Sequence, residues 1–168
     1  FIETIKLLKD NDKIHFMLVG SGDLKDIFQE ELKDCTNVTF LPRIGQNEVK
    51  YFLQKCDILY LSTKDSKVWD YGQSMNKVVE YMLASKPIIA SYTGYPSMIN
   101  EANCGYFENT SDSKELKDKI LSIVNLSEQE RKNLGVNGKK WIYENRQYSN
   151  LAKQYINKIQ ELRFFKNA

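Results

Sequence analysis

Asn76, Lys77 and Glu80, in the stretch Ser-Met-Asn-Lys-Val-Val-Glu at 74–80, are the residues best placed for chemistry. On a helix, positions three and four apart are neighbours, so these three share a face. A carboxylate there could accept hydrogen bonds from two vicinal ribose hydroxyls, as acidic residues do in other nucleotide sites. It could equally pair with Lys77, an exposed contact of about 0.2–0.5 kcal/mol. Spacing alone does not separate the two. Just ahead, Tyr71-Gly72-Gln73-Ser74 reads as a tight polar approach, with Ser74 as N-cap. A helix start preceded by glycine offers unbonded amides and a positive dipole end to an anion.

A second candidate is Gly20-Ser21-Gly22, which follows the apolar run Ile14 to Val19. It falls short of a dinucleotide fingerprint: the third glycine would stand at position 25, which is Lys25, and no acidic residue ends the following strand. Two readings stay open, a turn that needs positive φ and a close backbone approach to a phosphorylated ligand. Arg43, after Pro42, reads as a solvated charge on a loop. His15, the single histidine, lies in an apolar run and reads as a sheet residue. Cys35, Cys56 and Cys104 are widely spaced, which excludes a paired disulfide framework and an evident zinc motif, and favours a reducing compartment.

These residues need elements to hold them. A helix through Phe1, Ile5 and Leu8 leads to a strand at 13–19. A helical stripe at Leu24, Ile27, Phe28 and Leu32 precedes a strand at 38–41. Asn47 is the expected cap of a helix burying Val49, Phe52, Leu53 and Cys56, followed by a strand at 57–61. The polar loop from Ser62 to Asp70 leads into the helix of Asn76, whose apolar stripe is Met75, Val78, Val79, Met82 and Leu83. Pro87 ends it, Ile88 to Ser91 is a buried strand, Ser97 to Ala102 a short helix, and Cys104 to Phe107 a last strand. Asp112 with Glu115 and Ser127 with Glu130 have capping-box spacing. Gly135 and Gly138 predict a bend in the helix after Ser127, and Ser149 is the expected cap of a final one. The alternation predicts an α/β fold: a Rossmann-like, doubly wound parallel sheet with helices on both faces and a helical C-terminal tail. In such sheets ligands bind at the carboxyl ends of the strands, where Gly20, Pro42, the loop to Gln73 and the Tyr92–Tyr95 turn all lie.

With 168 residues and no linker, the chain is expected to be one domain. A net charge of +2 gives no case for a nucleic-acid partner. No apolar run reaches the roughly 20 residues of a membrane span. A start at Phe1 inside an apparent helix suggests a fragment of a larger protein.

Five motifs in order resemble a known family. They are Val19-Gly20-Ser21-Gly22; Val38-Thr-Phe-Leu41; Cys56-Asp57-Ile-Leu-Tyr-Leu61; Ser74-x-Asn76-Lys77-x-x-Glu80-Tyr81-Met82 with Lys86-Pro87-Ile88-Ile89; and Glu101-Ala-x-Cys104-Gly105. Together they look like the C-terminal half of family 4 glycosyltransferases, of the type active on bacterial surface polysaccharides. The resemblance implies a GT-B enzyme whose C-terminal domain, here 1–168, holds a UDP- or GDP-sugar, retains anomeric configuration and needs no metal or other cofactor. Glu80 would bind the donor ribose, and Gly72, Gln73 and Ser74 would offer amides to the diphosphate. Pro42 and Arg43 would lie by the base, and Gly20 and Gly22 would let the backbone approach the donor. No residue is implied as a catalytic nucleophile or base.

Two departures matter. Many members carry a glutamate eight positions before the one at Glu80, where this chain has Gly72; Asn76 and Lys77 are candidates to replace its sugar contacts. The Arg and Lys that many members use on the donor phosphates belong to a strand-loop upstream of Phe1, as does the acceptor domain. The implied setting is cytoplasmic, with the full-length protein peripheral at the inner face of the membrane as an open option. Phe164-Phe165 could pack on the missing domain or on membrane. Two other functions remain: a sugar-nucleotide 2-epimerase, which would be expected to show catalytic carboxylates and histidines, and a non-catalytic nucleotide-sugar-binding partner, supported by Gly72.

Overall fold

The computed structural model describes residues 1–64, 66–72, 75–95, 97–108 and 112–166, with side chains to 162. Strand and helix alternate in the order α1 (Ile2–Leu7), β1 (Phe16–Val19), α2 (Lys25–Glu31), β2 (Val38–Leu41), α3 (Gln46–Lys55), β3 (Leu59–Ser62) and α4 (Asn76–Leu83). There follow β4 (Ile88–Ser91), α5 (Met98–Glu101), β5 (Gly105–Glu108), α6 (Ser113–Val124), α7 (Glu128–Asn145) and α8 (Tyr148–Lys166). All pairings are parallel, but the strands form two blocks, β1-β2 and β3-β4-β5. The expected single sheet is thus interrupted between β1 and β3.

The central strand β4 is buried along its whole length, and its side chains alternate between two cores. Ile88 and Ala90 join Val78 and Met82 of α4, Met98 and Ile99 of α5, and Ile142 of α7. Ile89 faces the other way, toward Leu8 and toward Leu116, Ile120 and Ile123 of α6. Helices therefore cover both faces, as the continuous apolar strands require.

Several local expectations change. β1 begins at Phe16 rather than 13, because Asn11 holds the preceding turn: its Oδ1 accepts from the Lys13 amide at 3.0 Å and its carbonyl from that of Ile14 at 3.3 Å. The N-cap of α3 is Gly45, not Asn47, and the Glu48 carboxylate accepts from the Gly45 amide at 2.8 Å. Leu24, Ile27 and Leu83 are exposed, since α2 meets its core mainly through Leu32 at its end and α4 turns Tyr81 inward in place of Leu83. Asp112 caps α6 with its own carboxylate, and of the two expected boxes the one at Ser127 and Glu130 is reciprocal among the described residues. Helix α8 starts at Tyr148, ahead of Ser149, and the Gln147 carbonyl accepts from Asn150 and Leu151.

Helix α7 does not bend at its glycines; it runs unbroken for 18 residues. A Cβ on Gly135 would overlap the carbonyl of Ser85, and one on Gly138 would come within 2.9 Å of Cys104 Cβ. The glycines let α7 lie directly on the turn after α4 and on the start of β5. Among the described residues no helix is long and apolar enough to cross a membrane. The side chains of Phe164 and Phe165 lie outside the described residues.

Candidate functional site

The loops that follow the strands leave from one edge. Val19 is level with Leu41, and Ser62 with Ser91, so β1 and β2, and likewise β3 and β4, end in register. Gly20 has φ +138°, and a Cβ added to it would meet nothing within 4 Å. The turn reading holds, since φ is positive, and the backbone borders open space. Gly22 has the same open surroundings. A concavity of about 220 Å3 lies against Gly20, Ser21 and Gly22, walled by Lys25 and Phe28 of α2 and Phe40 of β2. Pro42 and Arg43 are exposed just past β2. A larger cavity exists, but its walls are the flanks of β1 and β3, not these loops.

The segment before α4 is not a free loop. Lys67–Tyr71 forms a 3-10 helix whose Val68 amide donates to Ser66 Oγ at 3.3 Å. Trp69 Nε1 donates to the Lys64 carbonyl at 3.0 Å, and the Trp69 carbonyl accepts from the Tyr95 amide at 2.8 Å. A Cβ on Gly94 would come within 2.6 Å of Trp69 Cβ, so the turn after β4 presses straight onto this helix. The Trp69 ring lies 6.1 Å from Tyr92, which packs edge-on against Phe107 at 4.6 Å. Trp69, Tyr92 and Gly94 thus tie the approach to α4 to the ends of β4 and β5. None of this pinning was visible in the sequence, since periodicity links neighbours along an element and not two loops.

Gly72 closes the 3-10 helix with φ +105° and open space where a side chain would go. In this backbone a glutamate at 72 would sit in a conformation side chains rarely adopt. Glycine is a requirement of the loop as well as a missing carboxylate. Replacing Gly72 with Ala is expected to cost about 1–2 kcal/mol, lowering Tm by roughly 2–8 °C, whereas Gly22→Ala should leave Tm unchanged. Thermal melts of both variants check this; equal melts would mean that the Gly72 conformation is not demanded.

Helix α4 starts at Asn76 with Met75 as N-cap, in extended conformation and without a side-chain cap. The expected cap Ser74 is therefore displaced by one residue; Ser74 and Gln73 themselves lie outside the described residues. Among the described residues no side chain takes the amides of Asn76 and Lys77, which leaves those two to an anion, while the Val78 amide donates to the Met75 carbonyl at 3.0 Å. Val78 and Met82 point into the core, and the Tyr81 hydroxyl donates to the Tyr60 carbonyl at 3.4 Å. Burial pushes that hydroxyl up to about 12, with the nearby Cys56 and Glu80 adding to the shift. Asn76, Lys77 and Glu80 are exposed on the opposite side, and among the described residues none of their side chains has a hydrogen-bond or ion-pair partner. The Lys77–Glu80 pair that the spacing allows is not formed. One amide, one carboxylate and one cation therefore face solvent unspent beside the loop that Gly72 ends.

Other reactive groups lie elsewhere. His15 precedes β1, at its amino end, with Nε2 2.8 Å from Thr39 Oγ1. Cys104 is fully buried and its thiol is pushed up to about 12 by that burial; Cys56 is raised by the same cause. Among the described residues no group of three or more His, Cys, Asp or Glu side chains could hold a metal ion.

The family model for glycosyl transferases group 1 matches residues 1–125, which takes in every element from α1 to α6. The chain belongs to that family. No curated protein sequence matches this glycosyltransferase chain. Among solved structures, HepE of Anabaena in complex with UDP-glucose is similar with a TM-score of 0.68 and 16% identity, over 95% of this chain and 44% of that one. The C-terminal domain of LpcC, a glycosyl transferase group 1 protein of Francisella tularensis, has a TM-score of 0.69 and 19% identity, over 88% of this chain and 78% of that one. WaaG, a glycosyltransferase involved in lipopolysaccharide biosynthesis, has a TM-score of 0.61 and 20% identity, over 83% of this chain and 37% of that one. At these identities the likeness is one of fold. The chain spans less than half the length of HepE and WaaG.

Proposed function

We propose that this group 1 glycosyltransferase chain is the donor-binding half of an enzyme that transfers a sugar from a nucleoside diphosphate to a lipid-linked or saccharide acceptor. The observation that supports it most is the unpaired, exposed set Asn76, Lys77 and Glu80 beside the uncapped start of α4. Glu80 accepts from the two ribose hydroxyls, and the first amides of α4 with Lys77 take the diphosphate. Arg43 and Pro42 border the base, and Gly20 and Gly22 admit the donor along the open end of β1. HepE, a structural neighbour, was captured with UDP-glucose, which favours a UDP-sugar.

Chemistry here is mostly placement and charge stabilisation. The leaving diphosphate gains negative charge as the glycosidic bond breaks, and preorganised amides with Lys77 stabilise it without reorganising. Transfer with retention and without metal follows from the family 4 resemblance, as does a role in polysaccharide or lipopolysaccharide synthesis, the setting named for WaaG. The acceptor half lies in a further N-terminal domain, and the protein works in the cytoplasm, with the membrane's inner face as its place when the acceptor is a lipid.

The test is a transfer assay with UDP- and GDP-sugars. The 168-residue chain is expected to bind nucleotide weakly and to release no sugar. Measurable turnover by this chain alone would refute the division into a donor and an acceptor half. One second reading has an observation behind it: with Gly72 in place of a carboxylate, a partner that binds nucleotide sugar without transferring it would also leave the full-length protein silent. An epimerase fits less well, since His15 sits at the opposite end of β1 from the candidate site.

A further inference from the structure

Two tyrosines at the carboxyl edge carry rings that the fold does not use. Tyr71 ends the 3-10 helix after β3 and is 93% exposed; Tyr95, in the turn after β4, is 58% exposed. Among the described residues neither side chain has a hydrogen bond, an ion pair or a ring contact. Their backbone, by contrast, is tied down. The Trp69 carbonyl accepts from the Gly72 amide at 3.2 Å as well as from the Tyr95 amide, so one oxygen holds both tyrosines on neighbouring stretches of chain. The Tyr95 carbonyl in turn accepts from the Tyr92 hydroxyl at 3.3 Å. Side chains three apart eclipse in a 3-10 helix, which sets the exposed Val68 on the same side as Tyr71, while Trp69 packs on the core. Exposed rings with an apolar neighbour, on backbone fixed from both sides, are the kind of surface that ligand grooves present.

We propose, on the donor reading above, that Tyr71 and Tyr95 form the subsite for the donor's sugar ring and hold it by stacking. The order of groups along a nucleoside diphosphate sugar is fixed: ribose, diphosphate, sugar. With the ribose at Glu80 and the diphosphate at the first amides of α4, the molecule runs back toward the start of that helix, a rise of about 6 Å over one turn. Its next group passes beyond Asn76 and over the loops that carry Tyr71 and Tyr95. Gly72, between Tyr71 and α4, has open space where a side chain would go, so it puts nothing in that path. A pyranose ring has faces of C–H groups and a rim of hydroxyls. Tyrosine matches both, with a flat apolar body and an O–H that donates and accepts. Because both rings stand on backbone that Trp69 already fixes, little chain entropy is lost when a sugar is placed on them.

Calorimetric titration of the 168-residue chain tests it, with UDP, GDP and the UDP- and GDP-linked hexoses and N-acetylhexosamines as probes. For the nucleotide sugar that the parent binds best, Tyr71→Ala and Tyr95→Ala should each raise the dissociation constant about fivefold, with the bare nucleoside diphosphate unchanged within about twofold. Tyr71→Phe and Tyr95→Phe keep the stacking face and should retain most of the affinity. Both side chains are exposed, so all four variants should melt with the parent. A loss shared equally by nucleotide and nucleotide sugar, no loss for either, or phenylalanine variants as weak as the alanine ones would overturn the stacking subsite. The donor reading would survive those results if Glu80→Ala still weakened the bare nucleotide. A parent chain that binds no nucleotide would overturn both.

Discussion

Alanine at position 80 is expected to raise the dissociation constant for the donor nucleotide roughly 30-fold, a loss of about 2 kcal/mol, the usual worth of hydrogen bonds to a charged acceptor. Glu80 is exposed and has no partner among the described residues, so the same change should leave stability within about 0.5 kcal/mol of the parent. The pairing of a large binding effect with none on folding is what separates a ligand contact from a surface charge. Had Glu80 paired with Lys77, its removal would have freed a cation and changed little else. Calorimetric titration of UDP and GDP into parent and variant gives the first quantity, and a urea melt the second. Equal affinities would remove Glu80 from the site.

Gly135→Ala should give the largest loss of stability. A methyl group there would overlap the Ser85 carbonyl, so α7 would have to move off the turn that follows α4. Alanine favours the helix by about 1 kcal/mol, and overpacking here costs about 3 kcal/mol, the upper end of the usual range, because backbone, not a flexible side chain, must give way. The net expectation is about 2 kcal/mol, a fall in Tm of roughly 4–8 °C. Val136→Ala, one residue on and exposed, serves as the control and should change Tm little. If the two variants melt alike, the close approach of α7 is not what Gly135 provides.

The same glycine shows where sequence reasoning stops. Its low helix propensity predicts a bend, and the contact with Ser85 overrides that propensity; nothing in the pattern of α7 points to a turn some fifty residues earlier. Strands β2 and β4 could be read to the residue, because each is a short apolar run stopped by a breaker or a turn. β1 could not, since Ile14 and His15 look like strand while the Asn11 turn holds them out of it. The break between β1 and β3 was equally hidden, because alternation predicts parallel strands without saying which edges meet.

Within the candidate site, the shared face of Asn76, Lys77 and Glu80 followed from helical spacing, and their exposure agrees with it. The need for glycine at 20 could be suspected from the turn, whereas that at 72 emerged only from its φ of +105°. The clamp of Trp69 on Gly94 was not legible at all. It joins two loops by one backbone hydrogen bond and a close approach, neither of which leaves a repeating signature.

The proposal that this chain holds a nucleotide donor at its carboxyl edge is tested most directly by an NMR titration of the 168-residue chain with UDP and GDP. Saturable shifts are expected at the amides of Gly20, Gly22, Arg43, Gly72, Asn76, Lys77 and Glu80, with His15 and α8 unmoved. Shifts that fail to saturate, or that gather away from those amides, would contradict it.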